Sequence, residues 1–336
     1  MICKKLRKSF SLGVFTFATI CLLSPFASAI KISDNFSIDG FLDMSAGAKI
    51  KDEVSATASY DQLEVDFKFD YEKLSAKADL ESKGGSVDLE SASISYAFND
   101  QISLTTGRFL SCIGFEAAEP TDMFQYSHST GIPYPGYQNG VALSISPVDM
   151  FSIYASVVSG VWDAEDTNII SEDGDLEPGF EVQLSLMPFE GFTAKVGFAG
   201  DIMGEQHEEE KGEAKAHDHD HEEETFMKSE INAWVKYVTG PITIAAEIDV
   251  LSNWDQVDEG GLHFLGMANY SITDEIGVTA RFSGYQMDED EDMTTSMTFS
   301  PSYIINDNWS ALLEVKQYLT GNEEGTEIAI ETIMTF

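Results

Sequence analysis

TEIAIETIMTF, residues 326–336, decides how the rest of the chain is read. Ile328, Ile330, Thr332, Met334 and the terminal Phe336 fall on every second position, so they share one face of a strand. The same period recurs upstream. Leu63, Val65, Phe67, Phe69 and Tyr71 alternate with Glu64, Asp66, Lys68 and Asp70. Ile242, Ile244, Ala246, Ile248 and Val250 alternate with Thr243, Ala245, Glu247 and Asp249, and stretches 192–198 and 227–237 repeat the pattern. One face is apolar and the other polar or charged, again and again. Alternation alone fits either a soluble sandwich or a closed barrel.

Turn lengths separate the two. About sixteen strands are predicted, near 36–49, 60–71, 73–82, 86–98, 101–109, 139–146, 150–161, 178–188, 192–202, 226–238, 241–251, 261–272, 275–286, 292–303, 308–319 and 325–336. Alternate connections are short, such as Asn99-Asp100 and Thr273-Asp274, while the others are longer and rich in acid, Gly and Ser. A sandwich has no reason to keep its long loops at one end; a transmembrane up-and-down antiparallel barrel does. In hydrocarbon an open sheet edge leaves unpaired N–H and C=O groups at several kcal/mol each, so the first strand must pair with the last. The expectation is an all-β barrel in a bacterial outer membrane, its termini on the periplasmic side with the short turns. A last strand stopping on Phe336 resembles the signal read by the barrel-assembly machinery during insertion. Tyr71, Tyr96, Phe98, Phe109, Trp162, Tyr237, Trp254, Tyr270, Tyr285, Trp309 and Tyr318 lie near strand ends, as interfacial girdles would require.

The beginning of the chain fits this location. Lys4, Lys5, Arg7 and Lys8 precede an apolar run from Phe10 to Leu23, and Ala27-Ser28-Ala29 offers a cleavage site. Residues 1–29 therefore read as a secretory signal peptide and 30–336 as the barrel; the apolar run is short of the roughly 20 residues a spanning helix needs. Removing four basic residues and no acidic ones takes the net charge from −39 to −43, which excludes nucleic acid as a partner. An apolar fraction of 43% with 22 Phe excludes a disordered acidic chain. Of three cysteines only Cys112 follows the leader, so no internal disulfide forms.

A sixteen-strand barrel is too wide for its own side chains to fill and leaves an aqueous channel. The long segment 110–138 is unusually apolar and aromatic for an exposed loop, with Phe115, Phe124, Tyr126, Tyr134 and Tyr137 beside Glu116, Glu119 and Asp122. It is expected to fold inward and constrict the pore. Within it, Gly107-Arg108-Phe109, Gly114, Glu116, Phe124, Tyr126-Ser127 and Gly140 resemble the signature region of the β-barrel porin-2 family of Gram-negative outer-membrane proteins. The match spans about forty residues; His128 and Gln138-Asn139-Gly140 depart from the family pattern. The resemblance implies a non-enzymatic channel for passive diffusion of small hydrophilic solutes or ions. Pore and constriction candidates are Arg108, Glu116, Glu119, Asp122, Tyr126, His128, Asp66, Glu247 and Arg281. Acidic side chains dominate the expected inner face, and such rings favour cations by focusing the field. Expected surroundings are outer-membrane lipid and lipopolysaccharide, and further copies of the chain in a homo-oligomer.

A second motif stands apart. His217, His219 and His221 alternate with Asp218 and Asp220 inside the acidic loop 203–225, a spacing suited to weak capture of Zn, Ni or Cu. It carries the alternative reading, a surface metal-binding protein on a barrel scaffold. No resident cofactor is otherwise implied. No catalytic set is evident either: His128 and His263 are the two histidines outside that loop, and neither has a Ser partner at a readable spacing.

Overall fold

The computed structural model describes residues 29–51, 53–162, 177–203, 226–254, 259–287, 292–321 and 323–336. The leader through residue 28 and the segment bearing His217, His219 and His221 lie outside the described residues. A two-residue strand, β1 (Ile30–Lys31), precedes sixteen longer ones. These are β2 (Phe36–Ile50), β3 (Val54–Tyr71), β4 (Leu74–Ser82), β5 (Asp88–Asn99), β6 (Ile102–Leu110), β7 (Tyr137–Val148), β8 (Phe151–Val158), β9 (Gly179–Leu186), β10 (Phe192–Met203), β11 (Phe226–Thr239), β12 (Ile242–Ser252), β13 (Gly260–Ser271), β14 (Ile276–Gln286), β15 (Thr294–Asn306), β16 (Trp309–Thr320) and β17 (Thr326–Thr335). Each pairs antiparallel with the next, and β17 returns to β2. The sheet is a closed barrel, and closure leaves no edge to satisfy.

The seam runs from Thr326 opposite Ile50 to Thr335 opposite Phe41. Phe336 continues it: its N–H donates to Gly40 O at 3.0 Å and its carbonyl accepts from Gly40 N at 3.2 Å. Gly40 is required there, because a Cβ would stand 2.1 Å from the Glu64 carbonyl oxygen and 2.8 Å from the Phe336 ring. All sixteen expected strands are present. The main difference is β3, which begins at Val54 rather than near residue 60. Its first turn-ward half, VSATASY, pairs with β2 alone, and its small side chains gave little apolar contrast to read.

Burial is inverted relative to a soluble protein. Along β12, Ile244 and Ile248 are each 47% exposed, while Glu247 is 5% and Asp249 0% exposed. The apolar set faces outward and the charged set inward, as the lipid-facing wall of an outer-membrane barrel demands. Exposed Tyr71, Tyr96, Phe98, Tyr270 and Trp309 form part of the outer aromatic belt. Three expected members do not. Phe109 is buried inside among Ile113, Val158 and Val161. The Tyr285 ring lies against Gly131, and Tyr318 shares the inward face of β16 with Glu314 and Lys316. Trp162 and Trp254 also leave the belt: their rings pack edge to face at 5.1 Å, and Lys228 Nζ lies over both.

Candidate functional site

Residues 111–136 connect β6 to β7 and bond to inward-facing side chains on β2, β3, β9 and β12 to β16. A segment with partners so far around the wall lies across the interior. Its apolar residues explain why it enters water's place. Phe115 and Phe124 bury against Trp234, Ala245, Leu265 and Met267 on the inner wall, with the Phe115 and Trp234 rings edge to face at 5.5 Å. Each buried phenyl contributes about 1.5–3 kcal/mol.

Three sets of polar anchors fix it. At its entry, the Glu181 carboxylate on β9 accepts from Ser111 Oγ, from Gln138 Nε2 at 2.8 Å and from Ser156 Oγ at 3.2 Å. Burial, followed by the Glu181 charge, pushes the neighbouring Cys112 thiol well above its ordinary value, so it remains a thiol. In the middle, Arg281 on β14 pairs with Glu116 and donates to Ser127 O at 2.7 Å and His128 O at 2.8 Å. Burial alone would raise the Glu116 carboxyl; the Arg281 charge and two hydrogen bonds from Ser129 outweigh it and hold the group below the usual carboxylate range. Glu247 accepts from Phe115 N at 2.8 Å and from the Tyr134 hydroxyl. Burial and then the Glu247 charge drive the Tyr134 phenol well above its ordinary range, which keeps it a donor. At the far side, Tyr126 and Ser45 share a hydrogen bond of 3.1 Å, and Glu119 accepts from Tyr137 at 2.7 Å and Gln62 at 3.4 Å.

The structure thus joins Glu116, His128, Arg281 and Glu247 into one buried contact between segment and wall. His128 Nε2 is 2.9 Å from Ala117 O. Arg108 donates through Nε to Glu90 O at 2.8 Å, apart from that contact. Asp122 ends the single 3₁₀ turn Pro120–Asp122 and is exposed. Asp66 belongs elsewhere, on the wall made by β2 to β5. There Lys68 bridges Asp39 at 2.5 Å and Asp66 at 3.2 Å, and Lys77 pairs with Asp79 at 2.5 Å. Glu64, Glu90 and Glu119 bring carboxylate oxygens within 4.8 Å of one another beside them. This wall keeps solvent: the side chains of Lys68, Lys77 and Lys83 are 38%, 41% and 58% exposed.

Several anchors were not legible beforehand. Ser129 is one: its Oγ lies 2.9 Å from His263 Nε2, and His263 Nδ1 lies 2.6 Å from Asp249 Oδ2. The expectation that His263 lacks a Ser partner is therefore corrected; the two are 134 residues apart in sequence. The array has the connectivity of a hydrolytic triad but a different use. Ser129 commits its hydroxyl proton to Glu116 Oε2 at 2.7 Å, and Ser129, His263 and Asp249 are all buried. It is a fastening, with no nucleophile free to attack. Glu181, Glu314 and Trp234 were detectable only as inward positions of their strands.

A closed sixteen-strand barrel with an apolar exterior, a charged interior and a loop lying across it defines the outer-membrane porin class. Solved structures agree on the fold. Salmonella typhi OmpF, solved with daunomycin, is 12% identical, with 92% of this chain and 100% of that one covered and a TM-score of 0.71. The outer-membrane channel DcaP of Acinetobacter baumannii is 12% identical over the same shares with a TM-score of 0.67. An anion-selective porin from Comamonas acidovorans is 11% identical, covering 90% and 99%, with a TM-score of 0.61. No curated protein matches the sequence. The chain belongs to the family described as "Putative beta-barrel porin-2, OmpL-like", whose model matches residues 29–330.

Proposed function

We propose that this porin passes small hydrophilic solutes and ions by passive diffusion along the β2–β5 side of its lumen, with a preference for cations, and performs no catalysis. The observation that carries the reading is the unequal filling of the interior. Residues 111–136 pack the β9–β16 side and leave the solvated, charged β2–β5 wall as the path. On that wall Asp39, Glu64, Asp66, Asp79, Glu81 and Glu90 outnumber Lys68, Lys77 and Lys83. Carboxylates in a low-dielectric cylinder raise the local concentration of cations. Fold does not fix this sign, since an anion-selective porin shares it.

In this reading Arg281, Glu116, His128 and Glu247 shape the constriction from behind, while Asp66 and Glu119 meet the solute. The chain ends and short turns share one end of the barrel, which is assigned to the periplasm, and the wall is suited to assembly with further copies. Refolded protein in planar bilayers tests the proposal. Steady conductance with a cation-selective reversal potential in a salt gradient is expected. Silence would favour the metal-capturing scaffold, and an anion-selective potential would overturn the charge argument.

A further inference from the structure

Beneath the crossing segment, the wall holds a group of carboxylates whose charge is not matched. Glu247 and Asp249 on β12 and His263 on β13 place potential ligand atoms within 4.8 Å of one another, all buried. Their own hydrogen bonds account for these three. Asn232 Nδ2 donates to Glu247 at 2.7 Å and to Asp249 at 2.5 Å, and His263 bonds Asp249. Those bonds do not account for Glu230 on β11. It is 0% exposed, and neither of its oxygens has a hydrogen-bond partner. The charged groups that act on it are the carboxylates of Asp249, Glu247 and Glu181. An ionised carboxylate left this way costs several kcal/mol.

We propose that Glu230, Asp249 and Glu247 bind a divalent metal cation of the hard, oxygen-preferring class, calcium by donor set. Carboxylate oxygens are the ligands such ions take. The charge count supports a valence of two. Ser129 gives its hydroxyl proton to Glu116, so His263 Nε2 must donate to Ser129, and Nδ1 donates to ionised Asp249. Three carboxylates and one imidazolium leave two negative charges for the ion to neutralise. His263 then orients Asp249 rather than ligating. Because Glu247 also accepts from Phe115 and Tyr134, an ion here ties the crossing segment to the wall.

Terbium(III) replaces calcium and luminesces when a nearby indole is excited; Trp234 faces Glu247 across the β11–β12 register. Refolded full-length protein, stripped with a chelator, is expected to show indole-sensitised emission that calcium displaces. That emission should fall about tenfold or more in Glu230→Gln and in Trp234→Phe, which leaves every ligand in place. Calcium should also raise the Tm of the parent protein and not that of Glu230→Gln, with an unchanged strand circular-dichroism spectrum showing that the variant folds. Emission undiminished in either variant places the ion on surface carboxylates and overturns the proposal. So does parent protein without calcium-displaceable emission, in which Glu230 carries a proton instead.

Discussion

The two sides of this lumen use the same residue types and reach opposite states. On β9 to β16, Glu181, Asp249 and His263 are 0% exposed and hydrogen-bonded into a lining shared with residues 111–136. On β2 to β5, Lys68 and Lys77 pair with carboxylates while more than a third of each side chain stays in water. Asp66 and Asp249 occupy equivalent inward positions of alternating strands, so strand sequence does not decide between them. What decides is whether the crossing segment supplies donors and aromatic cover. Exposed ion pairs contribute about 0–1 kcal/mol and are free to exchange with solutes. A buried pair costs about 3–5 kcal/mol when one partner is removed. One side is therefore structural and the other functional.

The largest disturbance of this division is expected from Arg281→Met, which strands the buried Glu116 carboxylate and frees the carbonyls of Ser127 and His128. The loss of about 3–5 kcal/mol should undock the segment and raise single-channel conductance several-fold. Adding Glu116→Leu should restore much of the original conductance; unchanged conductance in the single variant would mean that the packed side does not narrow the path. Acid should do the same reversibly. A carboxylate held below its ordinary value of 4.5 contributes stability above that value and loses it as pH falls through the depressed one. Docking should thus persist at pH 5 and yield below about pH 4.5, as a conductance step that Glu116→Gln abolishes. Phe115→Ala comes next. Loss of its ring from Trp234 should cost about 3–5 kcal/mol of packing, visible as a lower Tm and noisier current, with the mean opening less altered because the Arg281 clamp remains.

The strands, the seam and the direction of the faces were legible because each rests on a local period of two repeated over the chain. The inward course of the loop was legible for a related reason: Phe115 and Phe124 have no business in water. Which charges meet the solute was not. Glu116 and Arg281 are 165 residues apart, as are Ser129 and His263 at 134, and no periodicity links positions brought together only by closure of the barrel. The inward aromatics Phe109, Tyr285 and Tyr318 escaped for the same reason, since proximity to a strand end says nothing about which face the ring takes.

Changes confined to the open wall should move selectivity more than stability. Asp66→Asn with Asp79→Asn leaves Lys68 and Lys77 without those partners and makes the path more positive. The reversal potential in a potassium chloride gradient is expected to shift toward anions by a few-fold in permeability ratio, with little change in Tm. The same pair of measurements on Glu181→Gln should show the reverse pattern, a lower Tm and a small selectivity change. Equal responses on both walls would erase the distinction between them.

The smallest effect should come from the loop that touches neither wall's argument. Deleting residues 204–225 removes His217, His219 and His221 together with a dense group of acids. Alternating imidazoles among carboxylates suit an exchangeable transition-metal ion, so the parent protein should release heat on titration with zinc and the deletion variant should not. Conductance should be nearly the same in both, because the ion path is set by the β2–β5 wall and by residues 111–136. Remote surface charge acts only through a field screened within about 8 Å at physiological salt. A large conductance change on deletion would put a third region in control of the pore. The two-sided lumen would then no longer be enough to account for what passes.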